Sequence, residues 1–139
     1  MTAARLEHAN FNVRSIDETI RFLTTAFPEF KVRGRGVANG VPWLHIGTDD
    51  SYFALNELSA DSPRVAGAGE GPLNHFGCVV DDAEAVAQRL RAAGYHEGFI
   101  APKHPHRKRI YFDDKDGLEW EFVEYLTDDP AKRNDYSDQ

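Results

Sequence analysis

Two histidines stand at matching places in two similar stretches of this chain. His8 lies in the stretch EHANFNV and His75 lies in NHFGCVV, an offset of 67 positions from 8 to 75. Both stretches are typical of a strand, and each leads into a segment with helical character. An imidazole ring can bind a metal ion, transfer a proton, or simply occupy the polar face of a strand. The pair therefore raises two alternatives, which are metal ligands or polar sheet residues.

The element that carries the first histidine is predicted by hydrophobic periodicity. Alternation over residues 6–13 places His8 on a polar face opposite an apolar one, which is typical of a strand that packs on one side only. Ser15 is a good N-cap, and Glu18 follows three residues later. This spacing predicts a capping box at the start of a helix over Ile16–Ala26.

The second histidine is predicted to lie in the same kind of unit. A strand over residues 73–80 leads into a helix over residues 83–93, with Asp82 as its cap and Gly94 as the residue that ends it. Glycine and asparagine are read as turn signals at Gly34, Gly36 and positions 39–40. The remaining predicted strands cover residues 30–35, 43–47, 52–58, 96–100, 109–113 and 118–125.

The same offset aligns positions throughout the chain, which indicates an internal repeat. It pairs leucine, valine or phenylalanine positions in the strands and helices, and it pairs Ala54 with Glu121. We therefore predict an α+β fold of two βαβββ modules, whose mixed sheets pair their polar faces into a cup with the helices on the outer faces. The predicted boundaries are a single domain over 1–126, with module one at 5–58, a linker at 59–72 and module two at 73–126, followed by a polar C-terminal tail at 127–139.

Composition limits the classes of protein to consider. The chain has 139 residues, 41% of them hydrophobic, which is enough for one domain with its own core. A net charge of −7 argues against nucleic acid as a partner. No run is long enough for a membrane span and no signal peptide is evident, so a cytoplasmic protein is expected. The single cysteine, Cys78, lies in an apolar run and is expected to be a buried residue and not a nucleophile.

Three segments of the chain resemble the vicinal oxygen chelate superfamily, which includes glyoxalase I, fosfomycin-resistance proteins, extradiol dioxygenases and bleomycin-binding proteins. The segments are LEHANFNVRSID, LNHFGCVVDD and YFDDKDGLEWEFVEY, and with their helices they cover most of residues 5–125. The last is the most specific, because it resembles the family's DPDG turn followed by a strand with a central glutamate. The resemblance supports the fold more strongly than any one activity.

The resemblance implies a set of metal ligands. In this superfamily the ligands come from the first and last strands of each module, and the matching positions here are His8, His75 and Glu121. The fourth position is Ala54, which cannot bind a metal ion. Two histidines and one glutamate resemble the ligand set of the dioxygenases and fosfomycin-resistance enzymes more than that of glyoxalase I. Glu57 is close in sequence, but alternation places it on the opposite face from Ala54.

Two imidazoles and a carboxylate on one side of an ion leave coordination positions open for a substrate. Such a set is compatible with one divalent ion, which we take to be Fe, Mn, Ni or Zn. The ion could hold two neighbouring oxygens of a substrate and polarise a carbonyl or stabilise an enediolate. Ring-opening dioxygenase chemistry and glyoxalase-like lyase or isomerase chemistry are both consistent with this set.

Further residues are predicted to line the cup. Tyr111 falls on the same face as Glu121 and is a candidate catalytic acid or base, with a structural aromatic as the alternative. His45 and Tyr52 are candidate substrate-binding residues or partners that orient a ligand. Arg109 ends the basic segment KHPHRKR and could attract an anionic group of the substrate, although charge runs are commonly exposed loops.

Two classes of function remain open at this point. The first is a metal-dependent enzyme that acts on a small oxygenated molecule. The second is a metal-free protein that binds and sequesters a small molecule or drug. The resemblance also implies a homodimer, in which His8 of one subunit could join His75 and Glu121 of the other.

Overall fold

The computed structural model describes residues 4–63 and 72–137, so most of the predicted linker lies outside the described residues. The described chain forms two four-stranded sheets with a helix after the first strand of each. The elements in chain order are β1 His8–Val13, α1 Ile16–Ala26, β2 Lys31–Ala38, β3 Val41–Gly47, β4 Tyr52–Glu57, β5 His75–Val79, α2 Ala83–Ala92, β6 His96–Ile100, β7 Arg107–Asp113, β8 Glu119–Tyr125 and α3 Pro130–Arg133.

Strand order and register confirm the repeat. The orders are β1-β4-β3-β2 and β5-β8-β7-β6, so the same topology occurs twice. The first strand of each module is parallel to the last, and the others pair antiparallel. His8 pairs with Tyr52 and His75 pairs with Glu119, so the offset of the two histidines also relates their partners. The predicted α+β fold of two βαβββ modules is confirmed.

Each helix begins where a glutamate of the last strand reaches it. The backbone N–H of Ile16 donates to the Glu57 carboxylate at 2.7 Å, and that of Ala83 donates to Glu124 at 2.9 Å. A carboxylate at a helix N-terminus satisfies a free N–H and interacts favourably with the helix dipole. Glu57 therefore faces the helix of its module, as alternation predicted. Ser15 caps α1 as expected, with its hydroxyl accepting from the Glu18 N–H at 3.1 Å.

One core is shared by the apolar faces of both sheets and by the two long helices. Phe11 of β1 packs on Phe76 of β5, with ring centroids 4.9 Å apart. Trp120 of β8 is fully buried and lies 5.0 Å from the Phe53 ring and 5.5 Å from the Phe22 ring of α1. Aromatic rings at these separations add dispersion and quadrupole attraction to their burial. The apolar face of each module is therefore buried against the other module.

The helices α1 and α2 also bind each other at their C-terminal ends. Arg21 of α1 donates to the Ala93 carbonyl after α2 at 2.8 Å, and Arg89 of α2 donates to the carbonyls of Thr25 and Ala26, both at 2.9 Å. Each helix thus supplies a cation to the negative end of the other. Because the helices and apolar faces meet inside the chain, the polar faces point outward.

One expectation about β2 needs correction. Gly34 and Gly36, which the sequence marks as turn residues, lie inside β2, whereas the turn falls at Asn39 and Gly40, which have φ of 51° and 77°. The periodicity of β2 was hidden because glycine contributes nothing to a hydrophobic pattern. No helix in the described ranges is long and apolar enough to cross a membrane.

The C-terminal segment is polar, as predicted, but it folds back on module two. Arg107 is 7% exposed, and its guanidinium donates to the carbonyls of Arg133 at 3.2 Å and Asp135 at 3.0 Å. The Arg133 guanidinium lies 4.3 Å from the centre of the Tyr125 ring. One arginine of the basic segment therefore anchors the chain beyond β8 and is not part of an exposed charge run.

Candidate functional site

Module two gathers an imidazole, a carboxylate and a phenol on its polar face. His75 Nε2 lies 3.0 Å from Glu121 Oε2, and the same carboxylate acts on the neighbouring Tyr111 phenol. The strands explain the grouping, because β8 lies between β5 and β7 and Tyr111 is the cross-strand partner of Glu121. Glu119 also lies on this face, 3.8 Å from His75 Nδ1.

The geometry of this pair fits two adjacent ligands of a metal ion. Two donor atoms that are each about 2.1 Å from an ion, at right angles, are about 3.0 Å apart. The side chains of His75 and Glu121 are 32% and 14% exposed, so the pair is held by protein on one side and open on the other. Gly77 helps to keep it open, because a Cβ there would meet Glu121 Oε2 at 3.6 Å.

Tyr111 is a buried hydroxyl with a strong preference for its neutral form. Burial, together with the nearby Glu121 carboxylate, raises the pKa of Tyr111 to about 12, and the nearby Arg109 acts in the opposite direction. At neutral pH the phenol therefore keeps its proton. The hydroxyl can then donate a hydrogen bond to a bound substrate.

Each histidine has a neighbour that faces its Nδ1 atom. Asn74 Oδ1 lies 2.7 Å from His75 Nδ1, and Glu7 Oε1 lies 2.9 Å from His8 Nδ1. The hydrogen bond to His8 holds the pKa of Glu7 below its usual range. An acceptor at Nδ1 favours the tautomer whose Nε2 lone pair is free. Glu7 and Asn74 are equivalent positions of the repeat, so both modules use the same device.

Module one places its histidine in a row of aromatic rings. His8 stacks on Tyr52 with ring centroids 4.7 Å apart, and Tyr52 stacks on His45 at 4.8 Å. Ala54 follows Tyr52 by two positions on β4; it is buried and pairs with His45 on β3. The predicted residues His8, His45 and Tyr52 are therefore neighbours on one polar face. Their roles in binding remain predictions.

The single chain does not bring the two halves of the predicted triad together. His8 lies on the polar face of module one, and His75 with Glu121 lies on that of module two, while the faces behind them share the core. Among residues 4–63 and 72–137, no group of three or more His, Cys, Asp or Glu side chains could hold a metal ion. The sequence offset located equivalent positions, but it contains no information on which polar faces meet.

Arg109 lies on the face that carries Tyr111, whereas Cys78 packs against the core. Arg109 lies on β7 two positions before Tyr111, which places it on the same face, and its charge acts on that phenol. Cys78 packs against the core, and burial raises the pKa of its thiol to about 12. The thiolate is the nucleophilic form, so this cysteine is unreactive at neutral pH. Cys78 is half-buried, so it is less enclosed than the apolar run predicted.

Residues that the sequence reasoning missed lie on the polar face of module one. The Trp43 indole lies over two glycines of β2, and Arg33 places its guanidinium 4.0 Å from the centre of the Tyr52 ring. The alternation of Gly34 and Gly36 opposite a tryptophan on the next strand is the signal that could have identified this arrangement.

The sequence of this chain matches a known protein family. The model of the Glyoxalase/Bleomycin resistance protein/Dioxygenase superfamily matches residues 5–122, and this chain belongs to that family. A search of curated protein sequences found no match.

Solved structures share the architecture at low sequence identity. The glyoxylase/bleomycin resistance protein/dioxygenase domain from Frankia sp. EAN1pec has 19% identity and a TM-score of 0.74, over 89% of this chain and 99% of that one. The fosfomycin resistance protein FosX from Listeria monocytogenes, complexed with Mn(II) and sulfate ion, has 15% identity and a TM-score of 0.67, over 96% and 98%. Glyoxalase I from Leishmania major has 15% identity and a TM-score of 0.69, over 88% and 87%. At these identities the likeness establishes the fold.

Proposed function

We propose that this chain is a divalent-metal-dependent enzyme that binds neighbouring oxygens of a small molecule at a site of His8, His75 and Glu121. The observation that carries the proposal is the 3.0 Å contact between His75 Nε2 and Glu121 Oε2 on a partly open face. The similarity to a Mn(II)-bound FosX agrees with a metal-dependent relative. A bound divalent ion would supply a Lewis acid for the substrate oxygens.

The residues around the pair have separate roles in this proposal. His75 and Glu121 hold the ion, and Asn74 fixes the orientation of the imidazole. Tyr111 is the acid or base, because its hydroxyl retains a proton at neutral pH and lies against Glu121. Arg109, on the same face, attracts an anionic group of the substrate. Dioxygenase chemistry and lyase or isomerase chemistry both fit these roles.

We also propose that the site is shared between two copies of the chain. The polar face with His8 and the polar face with His75 point away from one common core, so a second copy is required to bring them together. In a homodimer with twofold symmetry, His8 of one copy would meet His75 and Glu121 of the other, twice. This arrangement forms the predicted cup between chains.

Metal analysis of purified variants tests the ligand set. We expect the unchanged chain to bind a divalent ion stoichiometrically and His8→Ala, His75→Ala and Glu121→Gln each to lose it. The loss should exceed the roughly 10- to 100-fold typical of outer-shell substitutions. His96→Ala is a matched control, because its side chain is 77% exposed on β6. Retention of metal by all three ligand variants would overturn the proposal.

A mixing experiment tests the shared site. Chains with His8→Ala and chains with His75→Ala are co-expressed with different tags, and mixed dimers are isolated. Each mixed dimer would keep one complete site, formed by His8 of one chain and His75 of the other. We expect metal binding to return in mixed dimers and to be absent from either variant alone. Mixed dimers without metal would contradict a shared site.

A metal-free binding protein is the second candidate function. The row of rings at His8, Tyr52 and His45 favours it, because aromatic surfaces bind ligands without any ion. Measurement of ligand binding by the His75→Ala/Glu121→Ala double variant, which leaves the row of rings in place, separates the candidates. Full binding by this variant supports the sequestering protein, and loss of binding supports the metal-dependent site.

A further inference from the structure

Trp43 rests on a surface of β2 from which side chains are absent. A Cβ atom on Gly36 would come within 3.0 Å of two indole atoms, Cζ2 and Nε1, whereas a Cβ on Gly34 would be 3.9 Å from the nearest. Real Cβ atoms are seldom as close as 3.0 Å, so an alanine at position 36 would require the indole to shift by a few tenths of an ångström. Trp43 is only half-buried, and part of the indole remains accessible. We refer to Trp43 with Gly34 and Gly36 beneath it as the indole platform.

The indole platform lies on the same polar face as the candidate site. Trp43 is two positions from His45 on β3, and their ring centroids are 5.1 Å apart. His45 contacts Tyr52, and the Arg33 guanidinium lies 4.0 Å from the centre of the Tyr52 ring. A flat apolar surface is thus followed within a few side chains by a positive charge.

We propose that the indole platform binds a planar aromatic carboxylate. The aromatic ring lies against Trp43, and the carboxylate points past His45 toward Arg33. A flat ring gains quadrupole and dispersion attraction from an indole, and a saturated ring gains less of both. The Arg33 guanidinium, which also interacts with the nearby Glu7 carboxylate, supplies the positive charge for the ligand. This inference rests on the proposed function only in taking such a molecule as the substrate class.

The test uses the full chain treated with a metal chelator, so that it does not depend on the metal site. Binding is followed by the indole N–H signals in a ¹H–¹⁵N NMR spectrum. The chain has two tryptophans, and the Trp120 indole is buried with its N–H bonded to Asp114. The probes are 2-naphthoate, the saturated decahydro-2-naphthoate, and neutral 2-naphthamide.

We expect 2-naphthoate to shift the Trp43 signal in a saturable way and to leave the Trp120 signal in place. Its affinity should exceed that of the saturated acid by roughly two- to tenfold, the range of aromatic pair energies. Arg33→Gln should remove the preference for naphthoate over naphthamide. Equal affinity for the flat and saturated acids, or an unmoved Trp43 signal, would overturn the proposal.

Two glycine substitutions form a matched pair. Gly36→Ala pushes a methyl group against the indole, whereas Gly34→Ala adds an ordinary contact at 3.9 Å. We expect Gly36→Ala to change the Trp43 signal and to reduce the naphthoate preference, and Gly34→Ala to retain both. If both variants behaved alike, the position of the Trp43 indole over Gly36 would have no effect on naphthoate binding, and this result would contradict the inference. Failure of the metal proposal would leave these results unchanged.

Discussion

The buried carboxylate of Asp114 makes the stability of module two depend on pH in an unusual direction. One oxygen of Asp114 accepts from the backbone N–H groups of Asp116 at 2.9 Å and Leu118 at 3.0 Å, and the other accepts from the Trp120 indole at 3.0 Å. Burial nevertheless raises the pKa of Asp114 to about 6, because desolvation outweighs these hydrogen bonds. The perturbation we consider is Asp114→Asn, which removes the charge and keeps the shape.

The magnitude follows from the shift of the pKa. The pKa of Asp114 is 3.8 in the unfolded chain and about 6 in the folded chain, and this difference of roughly two units corresponds to about 3 kcal/mol. At a pH below the unfolded pKa, Asp114 is protonated in both the folded and the unfolded chain, and its contribution to the free energy of unfolding is fully present. As the pH rises through the folded pKa this contribution is lost, because the unfolded chain has already released its proton. Asp114 thus lowers the free energy of unfolding between about pH 4 and pH 7.

Urea unfolding of the unchanged chain and of Asp114→Asn measures this directly. The variant loses the indole hydrogen bond, since its amide N–H₂ faces another donor, at a cost of about 1–3 kcal/mol that does not vary with pH. Relative to the unchanged chain, the variant should gain about 3 kcal/mol between about pH 4 and pH 7. Asp128→Asn, at an exposed position, is the control and should show no such gain. Parallel curves for Asp114→Asn and the unchanged chain would refute the reasoning.

Three further predictions concern the site and the contact between helices. Tyr111→Phe removes the hydroxyl next to Glu121, and we expect catalytic turnover to fall by roughly 100-fold or more while metal content is retained, measured by kinetics and metal analysis. Asn74→Ala removes the acceptor at His75 Nδ1 and should weaken metal affinity by roughly 10- to 100-fold, measured by calorimetry. Arg89→Met keeps an unbranched side-chain stem but removes the hydrogen bonds to the end of α1, and should lower the free energy of unfolding by about 1–3 kcal/mol, measured by urea unfolding.

The fold was predictable because its evidence is local and repeated. Alternation around His8 and His75, together with the caps Ser15 and Asp82, located the first strand and helix of each module. The offset of the two histidines also relates the registers of the two parallel strand pairs, β1 with β4 and β5 with β8. A repeat constrains the fold twice, so a boundary error in one module is corrected by the other.

The assembly of the site was less predictable, for a physical reason. Period-two alternation predicts which side chains lie on the same face of a sheet, but it does not predict which faces of the two sheets pack together. Both His8 and His75 lie on polar faces, as expected. Packing of Phe11 on Phe76 decides that these faces point outward, and such a contact between distant aromatic residues has no local signal. The glycines under Trp43 were missed because a residue without a side chain has no period.

The differences between the two modules suggest that each supplies a different part of one site. Module two has a carboxylate at Glu121, and Gly77 leaves the space beside it open. Module one has Ala54 at the equivalent position, and its polar face is instead occupied by aromatic rings, with Trp43 seated on glycines. A cup made from two identical faces would present two sets of charged ligands to each other. A cup made from one module of each kind would present ligands for an ion to a surface for a flat substrate. In the proposed dimer, Ala54 at the position of a fourth ligand would leave an uncharged surface next to His8 for the substrate.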